Sequence, residues 1–373
     1  MGSRGAEVFF VSGAQPQSIE PFLRALAEFG GSDLHCKVGS PPRVRIDGRL
    51  RKLQAEVLQR DRADADPAED EARRTTGAER VDAEASDPGK RVREVRLVRL
   101  GELLAEVVAQ HLGRHELGVG RGQDLGLPEA LAALAMEPRG LVLVTGPTGS
   151  GKTTTLAGMI DHVNANREVH IVTIEDPIEV LHHDQLAMVN QREVRVDTED
   201  FSVALRAAMR QDPDVILVGE MRDAETVKAA LAAAETGHFV MSTLHTTDAE
   251  ETVNRIIDFF PPHEQKQVRI TLAGSLKGII CQRLVPRADG QGRCVSVEVC
   301  VVTGRVADAI TDPDKTSMMT QLIADGGYYG MQTFDQHLVA LIRDGVITLE
   351  AAMLASTNPH DLTVELRRLG LVA

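Results

Sequence analysis

The stretch LVLVTGPTGSGKTTTLAGMIDHV, Leu141 to Val163, decides the fold. It opens on a continuous apolar run, the pattern of a strand buried on both faces rather than one half-exposed. It closes on TTTLAGMIDHV, whose apolar residues fall at helical spacing. Between them Gly146-Pro147-Thr148-Gly149-Ser150-Gly151-Lys152-Thr153 fits G-x-x-x-x-G-K-[ST]. The glycines let successive backbone N–H groups turn inward, and the helix N-terminus adds positive potential for a phosphate. Lys152 is placed to reach the β- and γ-phosphates of ATP and Thr153 to ligate Mg²⁺, with Thr154 completing the nucleotide-binding set. A Gly-rich turn that binds no nucleotide is the competing reading.

Downstream, the pattern repeats without the glycines. VHIVTIEDP, VILVGE and FVMSTLHT are apolar runs that each end in polar residues, separated by helical patterns at 201–211, 225–236 and 249–260. Buried strands alternating with helices imply an α/β fold with a parallel sheet and ligands at the strand C-termini. A P-loop needs a carboxylate at the end of another strand. VILVGE supplies Glu220, read as polarising the attacking water, but Gly219 stands where many P-loop enzymes carry the Mg²⁺-linked aspartate. Glu175 and Asp176, closing VHIVTI, are the replacement carboxylates for the metal's water shell, with Glu179 a weaker candidate beyond Pro177.

His245 ends FVMSTLH, where an imidazole can hydrogen-bond a γ-phosphate. A lone histidine is otherwise structural, and His238, just before the same strand, carries the same two readings. His182-His183 reads as a solvent-facing pair. Arg206 and Arg210 lie four apart on one helical face, before Asp212-Pro213-Asp214. They could reach a phosphate across a subunit boundary or simply form a solvated basic face.

Upstream, PFLRALAEFGG predicts a helix ending on Gly30-Gly31, SDLH a short extended stretch, and PPRVRIDGRL a hairpin around Asp47-Gly48. Residues 60–99 then carry 10 basic and 11 acidic side chains and too few apolar ones to offset ordering. That segment reads as a solvated linker or insertion. After Gly330 the chain reads as helices in TFDQHLVALIRDG, TLEAAMLAS and DLTVELRRLG, with a turn at Asn358-Pro359. The division expected is an N-terminal domain at 16–125, an ATPase core at 126–304 and a helical C-terminal region at 305–373.

Hydrophobic residues make up 43% of the 373 and charged ones 26%, a globular balance, and no apolar run is long enough to cross a bilayer. The net charge of −14 argues against a general phosphate-backbone binder, so no nucleic-acid partner is expected. Cys36, Cys281, Cys294 and Cys300 contain no CxxC pair, which argues against a disulfide framework or zinc ribbon and for reduced thiols in the cytoplasm.

These motifs together resemble the secretion ATPase superfamily of type II secretion and type IV pili, most closely its pilus retraction branch. The resemblance rests on GPTGSGKTTT, TIEDPIE, VNQREV, ALRAAMRQDPDVILVGEMRD, AAETGH and STLHTTDA, in that order, from Leu141 to Gly304. It implies a PAS-like N-terminal domain joined to a RecA-like P-loop core, working as a homo-hexameric ring. It implies Glu220 as the catalytic glutamate, Lys152 as the phosphate lysine, Glu175 and Asp176 as aspartate-box acids and His245 as the histidine-box residue. It also implies ATP and Mg²⁺, an inner-membrane pilus platform protein as partner, a place at the inner face of the cell membrane, and twitching motility as output. The family's arginine-bearing N-terminal strand is not matched, so Arg93, Arg96 and Arg99 take no role. A pilus assembly or type II secretion motor, and a non-catalytic ATP-binding subunit, are the alternatives.

Overall fold

The computed structural model describes residues 9–10, 33–37, 40–46, 48–54 and 128–372. The helix expected over PFLRALAEFGG, the charged segment 60–99, Arg93, Arg96 and Arg99 lie outside them, as does most of the division at 16–125.

The apolar runs become the strands of one seven-stranded sheet. β5 (Gly140–Thr145), β6 (His170–Glu175), β8 (Val215–Val218) and β9 (Phe239–Leu244) are its parallel centre, and β7 (Met188–Glu193) is a polar edge strand. β10 (Leu276–Pro286) and β11 (Arg293–Val301) close the other side as a long hairpin, giving the order β11-β10-β5-β9-β8-β6-β7. Only the β10–β11 pair is antiparallel.

Alternate residues of each central strand feed two different cores. Val142, Val144, Ile171, Leu217 and Met241 face α1 (Glu129–Ala135) and α2 (Lys152–Asn166). Leu143, Ile174, Ile216, Val218 and Val240 face the opposite layer. That layer contains α3 (Phe201–Ala208), α4 (Ala224–Glu235), α5 (Ala249–Asp258) and α6 (Pro262–Ser275). All four of β5's apolar residues are fully buried, each worth roughly 1.5–3 kcal/mol over exposure. The absence of alternation in LVLVT thus follows from helices on both faces.

α7 (Gly304–Thr311) and α8 (Met319–Ala324) extend the second layer. The helices expected in the tail are α9 (Phe334–Arg343), α10 (Leu349–Ala355) and α11 (Pro359–Arg368), which enclose a small third core over the outer end of β10 at Val285. Asn358 caps α11 and Pro359 occupies its first turn, so the turn signal marks a helix start.

The hairpin around Gly48 is β3 (Arg43–Ile46) with β4 (Arg49–Gln54), flanked by β2 (Asp33–His35) and β1 (Phe9–Phe10) in a separate four-stranded sheet. This small sheet docks against the amino ends of β6, β7 and β8 through charge. The Arg45 guanidinium bonds both Asp212 and Asp214, and Arg43, with no exposed side chain, donates to the Leu186 carbonyl. Lys37 and Ser40 both bond Asp184, at 3.1 and 2.6 Å. His35 packs edge-on against His170, ring centroids 4.8 Å apart. A carbonyl can only accept, so His170 donates from Nδ1 to Gln211 and accepts at Nε2 from Asn190. Burial, then the neighbouring His35, pushes the His170 pKa down to about 4.

Arg45→Ala strands two aspartates that are partly solvated, so the expected cost is about 2 kcal/mol, below that of a fully buried pair. Native-state amide exchange checks this. Exchange in β3 and β4 is expected to accelerate while β5 and β9 stay protected; equal acceleration in both sheets would contradict docking through Arg45.

Candidate functional site

The P-loop and the segments that carry Glu175, Glu220 and His245 all leave one edge of the central sheet. β5 pairs with β9 so that Thr145 faces Leu244, β9 with β8 so that Ser242 faces Val218, and β8 with β6 so that Val218 faces Ile174. The P-loop, His245, Glu220 and Glu175 therefore leave neighbouring strands at the same carboxyl edge, where parallel α/β sheets hold ligands.

The P-loop connects β5 to α2 through two special glycines. Gly146 adopts φ +141°, and a Cβ there would lie 2.5 Å from the Gln282 carbonyl oxygen and 2.6 Å from the Ser150 hydroxyl. Only glycine lets the loop lie so close to β10. Gly151, at φ +92°, is the residue from which α2 starts, with no side chain capping its first amides. Pro147, Thr148 and Gly149 are exposed and Ser150 is buried. Lys152 bends back over the loop, its Nζ donating to the carbonyls of Gly146 (2.7 Å) and Pro147 (3.1 Å). Burial lowers its pKa while the Glu220 carboxylate raises it, so the two groups sense each other across the site. Thr153 and Thr154 follow in the first turn, half-buried and exposed. Beside the loop opens a cleft of about 700 Å³, lined by Pro147–Ser150, the Arg283–Leu284 end of β10, Arg293 and α10.

Glu220 follows β8 and is held at both oxygens. His245 Nε2 donates to Oε1 at 3.1 Å and Arg222 Nη2 to Oε2 at 2.7 Å. The carboxylate side chain is 18% exposed, whereas both partners are about half exposed, so Glu220 faces the open edge from a restrained position. His245 and Glu220, read separately from the sequence, are direct neighbours. Arg222 was not singled out; its place two residues after Glu220 in GEMRD was the available signal.

Glu175, the last residue of β6, accepts from Thr173 Oγ1 (2.6 Å) and Gln191 Nε2 (3.1 Å). Burial raises its pKa against the lowering effect of these two bonds, so its ionised form is dearer than that of a solvated glutamate. Asp176 lies 3.7 Å from Arg195 at the same edge. Glu179 is exposed beyond Pro177. Thr153, Glu175 and Asp176 offer hard oxygen donors, the chemistry that suits Mg²⁺. Among the described residues no group of three or more His, Cys, Asp or Glu could hold a metal by itself. This donor set fits an ion carried in with phosphate oxygens and retaining waters.

The remaining candidates lie elsewhere. His238 precedes β9 and so sits at the amino edge, opposite the P-loop, its Nδ1 donating to the Ala233 carbonyl at 3.0 Å. Arg206 engages Ser202 at 3.2 Å and Glu225 at 3.8 Å. Arg210 follows the end of α3 and is exposed where the chain turns towards the amino end of β8. None of these three joins the P-loop within the chain. His183 and His182 lie in the loop before β7, where burial lowers the His182 pKa. Cys281 and Cys300 are fully buried in the core, and Cys294 is half-buried.

The family described as "Type II/IV secretion system protein" matches residues 45–342. The type IV pilus retraction ATPase PilT of Pseudomonas aeruginosa is 42% identical over 352 residues, spanning 92% of this chain and 99% of that one. The type IV pilus ATPase PilU of the same organism is 38% identical, spanning 93% and 91%. Among solved structures, the pilus retraction motor PilT with bound ADP aligns over 92% of this chain and 98% of its own, with a TM-score of 0.63 and 37% identity.

Proposed function

Since the chain belongs to the type II/IV secretion system protein family, we propose that it is an ATP-hydrolysing motor that powers type IV pilus retraction. The observation that carries the direction is the end-to-end match to a retraction ATPase, 99% of whose length this chain covers. The chemistry is supported by the convergence of P-loop, Glu220 and His245 on one sheet edge.

In this reading the P-loop amides and the N-terminus of α2 bind the β- and γ-phosphates. Lys152 exchanges its bonds to the Gly146 and Pro147 carbonyls for phosphate oxygens. Base and ribose have room in the cleft beside the loop. Glu220 accepts a proton from the attacking water, which adds in line to the γ-phosphorus as the bond to the bridging oxygen breaks. His245 hydrogen-bonds Glu220 on one side and can reach a γ-phosphate on the other, which links nucleotide state to the position of the base. Thr153, with Glu175 and Asp176 through water, would hold Mg²⁺, which offsets the phosphate charge when bound. Work follows from domain rotation on product release. The motor acts as a homo-hexamer beneath an inner-membrane platform protein, at the cytoplasmic face. Among the described residues no helix is long and apolar enough to cross a membrane.

ATP turnover by purified protein, sized by light scattering, tests the reading together with deletion of the gene. Turnover in a hexameric fraction and hyperpiliated deletion cells are expected. Bald cells would indicate an assembly motor, and ATP binding without turnover an accessory subunit.

A further inference from the structure

Glu298, towards the end of β11, is a carboxylate outside the site described above and only 5% exposed, beside the apolar core that the sheet shares with α5. Its Oε1 accepts the backbone N–H of Ala249, the first residue of α5, at 2.9 Å. A helix leaves its first amides without partners inside the helix. In α5 the Asp248 side chain serves the amide of Glu251, and Glu298 reaches from the sheet to serve that of Ala249.

The start of α5 is the far end of the loop that carries His245. Only Thr246, Thr247 and Asp248 separate the two, and Thr246 is buried with its hydroxyl 2.6 Å from that of Thr252. The loop is therefore tied at its near end by β9 and at its far end both locally, through Thr247 and Asp248 to Glu251, and by one carboxylate from another part of the fold. The contact it presents to the site is His245 to Glu220.

We propose that Glu298 is a positioning residue for ATP turnover, a proton-binding anchor that sets where the His245 loop lies relative to Glu220. The inference rests on the ATPase reading of the P-loop edge. The groups facing Glu298 are Asp248 at the head of α5, Cys281 and Arg283 on β10, and Cys300 on its own strand. Cys281 lies directly opposite in register. Burial first, then Asp248, pushes the Glu298 pKa up to about 7, against the lowering effects of the Ala249 amide, Cys281 and Arg283. An ionised acceptor makes the stronger bond, so the anchor is tight above neutrality and slackens as it takes up a proton. The stability sign is opposite. The folded pKa lies above the ordinary carboxylate value of 4.5, so this group's contribution to stability is complete below that value. It is lost as pH rises through about 7. The ionised anchor holds the loop in the range where burying it costs most.

The test compares wild type, Glu298→Gln and Glu298→Ala as full chains, measuring kcat and KM for ATP and the thermal midpoint from about pH 5.5 to 8.5. Glutamine keeps an oxygen for the Ala249 amide but cannot ionise. Wild-type kcat is expected to fall with acid through an ionisation near neutrality that Glu298→Gln lacks. The comparison cancels every other ionisation of the site. Glu298→Gln should also melt higher than wild type at about pH 8.5, by a margin that narrows as the pH falls towards about 5.5. Glu298→Ala should lower kcat at high pH about tenfold with KM within about twofold, since a misplaced group costs chemistry rather than binding. Identical kcat–pH profiles for wild type and Glu298→Gln, with turnover intact, would overturn the proposal and leave the ATPase reading standing. A wild-type chain that never turns over ATP would overturn that reading, and the proposal with it.

Discussion

Glu220→Gln is expected to lower kcat about 10²- to 10⁴-fold, the range for losing a general base, while ATP affinity stays within several-fold. The expectation follows from how the carboxylate is held. His245 occupies Oε1 and Arg222 occupies Oε2, so the group is aimed by two donors and remains an acceptor with spare lone pairs. Glutamine can still accept from His245, but its amide nitrogen points a donor at the Arg222 guanidinium and cannot take a proton from water. Glu175 is another carboxylate at this edge, and it is less suited to the role. Thr173 and Gln191 both donate to its Oε1, and burial disfavours its charged form. Single-turnover hydrolysis alongside equilibrium ATP binding separates the steps. A Glu220→Gln chain that hydrolyses within about tenfold of wild type would move the base to another group.

How far the fold can be read from the sequence depends on where each residue's partners come from. β5, β6, β8 and β9 are legible because burial on both faces writes itself as an unbroken apolar run. The P-loop is legible because its glycines and lysine are local requirements of one turn. The β10–β11 hairpin is not. Lys277, Gln282 and Arg283 interrupt β10, and the buried Gln282 donates its amide N–H to Thr155 on α2. β7 is equally hidden, since an edge strand reading MVNQRE buries little. The same logic sorts the candidate site. Glu220, Glu175 and His245 end strands, and strand polarity alone sends them to one edge. His238 immediately precedes a strand, which puts it at the opposite edge, a reading that FVMSTLH already allowed. Gln191 acts on a side chain of the neighbouring strand and Glu298 on a backbone amide of another element, contacts of which a periodic pattern carries no trace, whereas Arg222 stands two residues from Glu220 in GEMRD.

Lys152→Ala is expected to weaken ATP binding about 10²- to 10⁴-fold, from the loss of two charge-assisted bonds worth roughly 1.5–3 kcal/mol each. The ammonium now donates to two P-loop carbonyls, and burial already makes its charged form less comfortable than in water. A phosphate arriving at the loop offers that charge better acceptors than neutral carbonyls do, so the lysine gains on binding rather than being merely present. Alanine removes this gain; the Pro147 carbonyl lies at an exposed rim, and the carbonyl of buried Gly146 is uncovered to water once the half-buried lysine is gone. Folding should therefore be nearly unaffected, with a thermal midpoint within about 2 °C of wild type in the absence of nucleotide. The difference should emerge only when ATP is added, as a stabilisation that wild type shows and the variant lacks. Equal ATP-induced stabilisation in both proteins would mean that the P-loop amides and the α2 N-terminus bind the phosphates alone, and that Lys152 serves a later step.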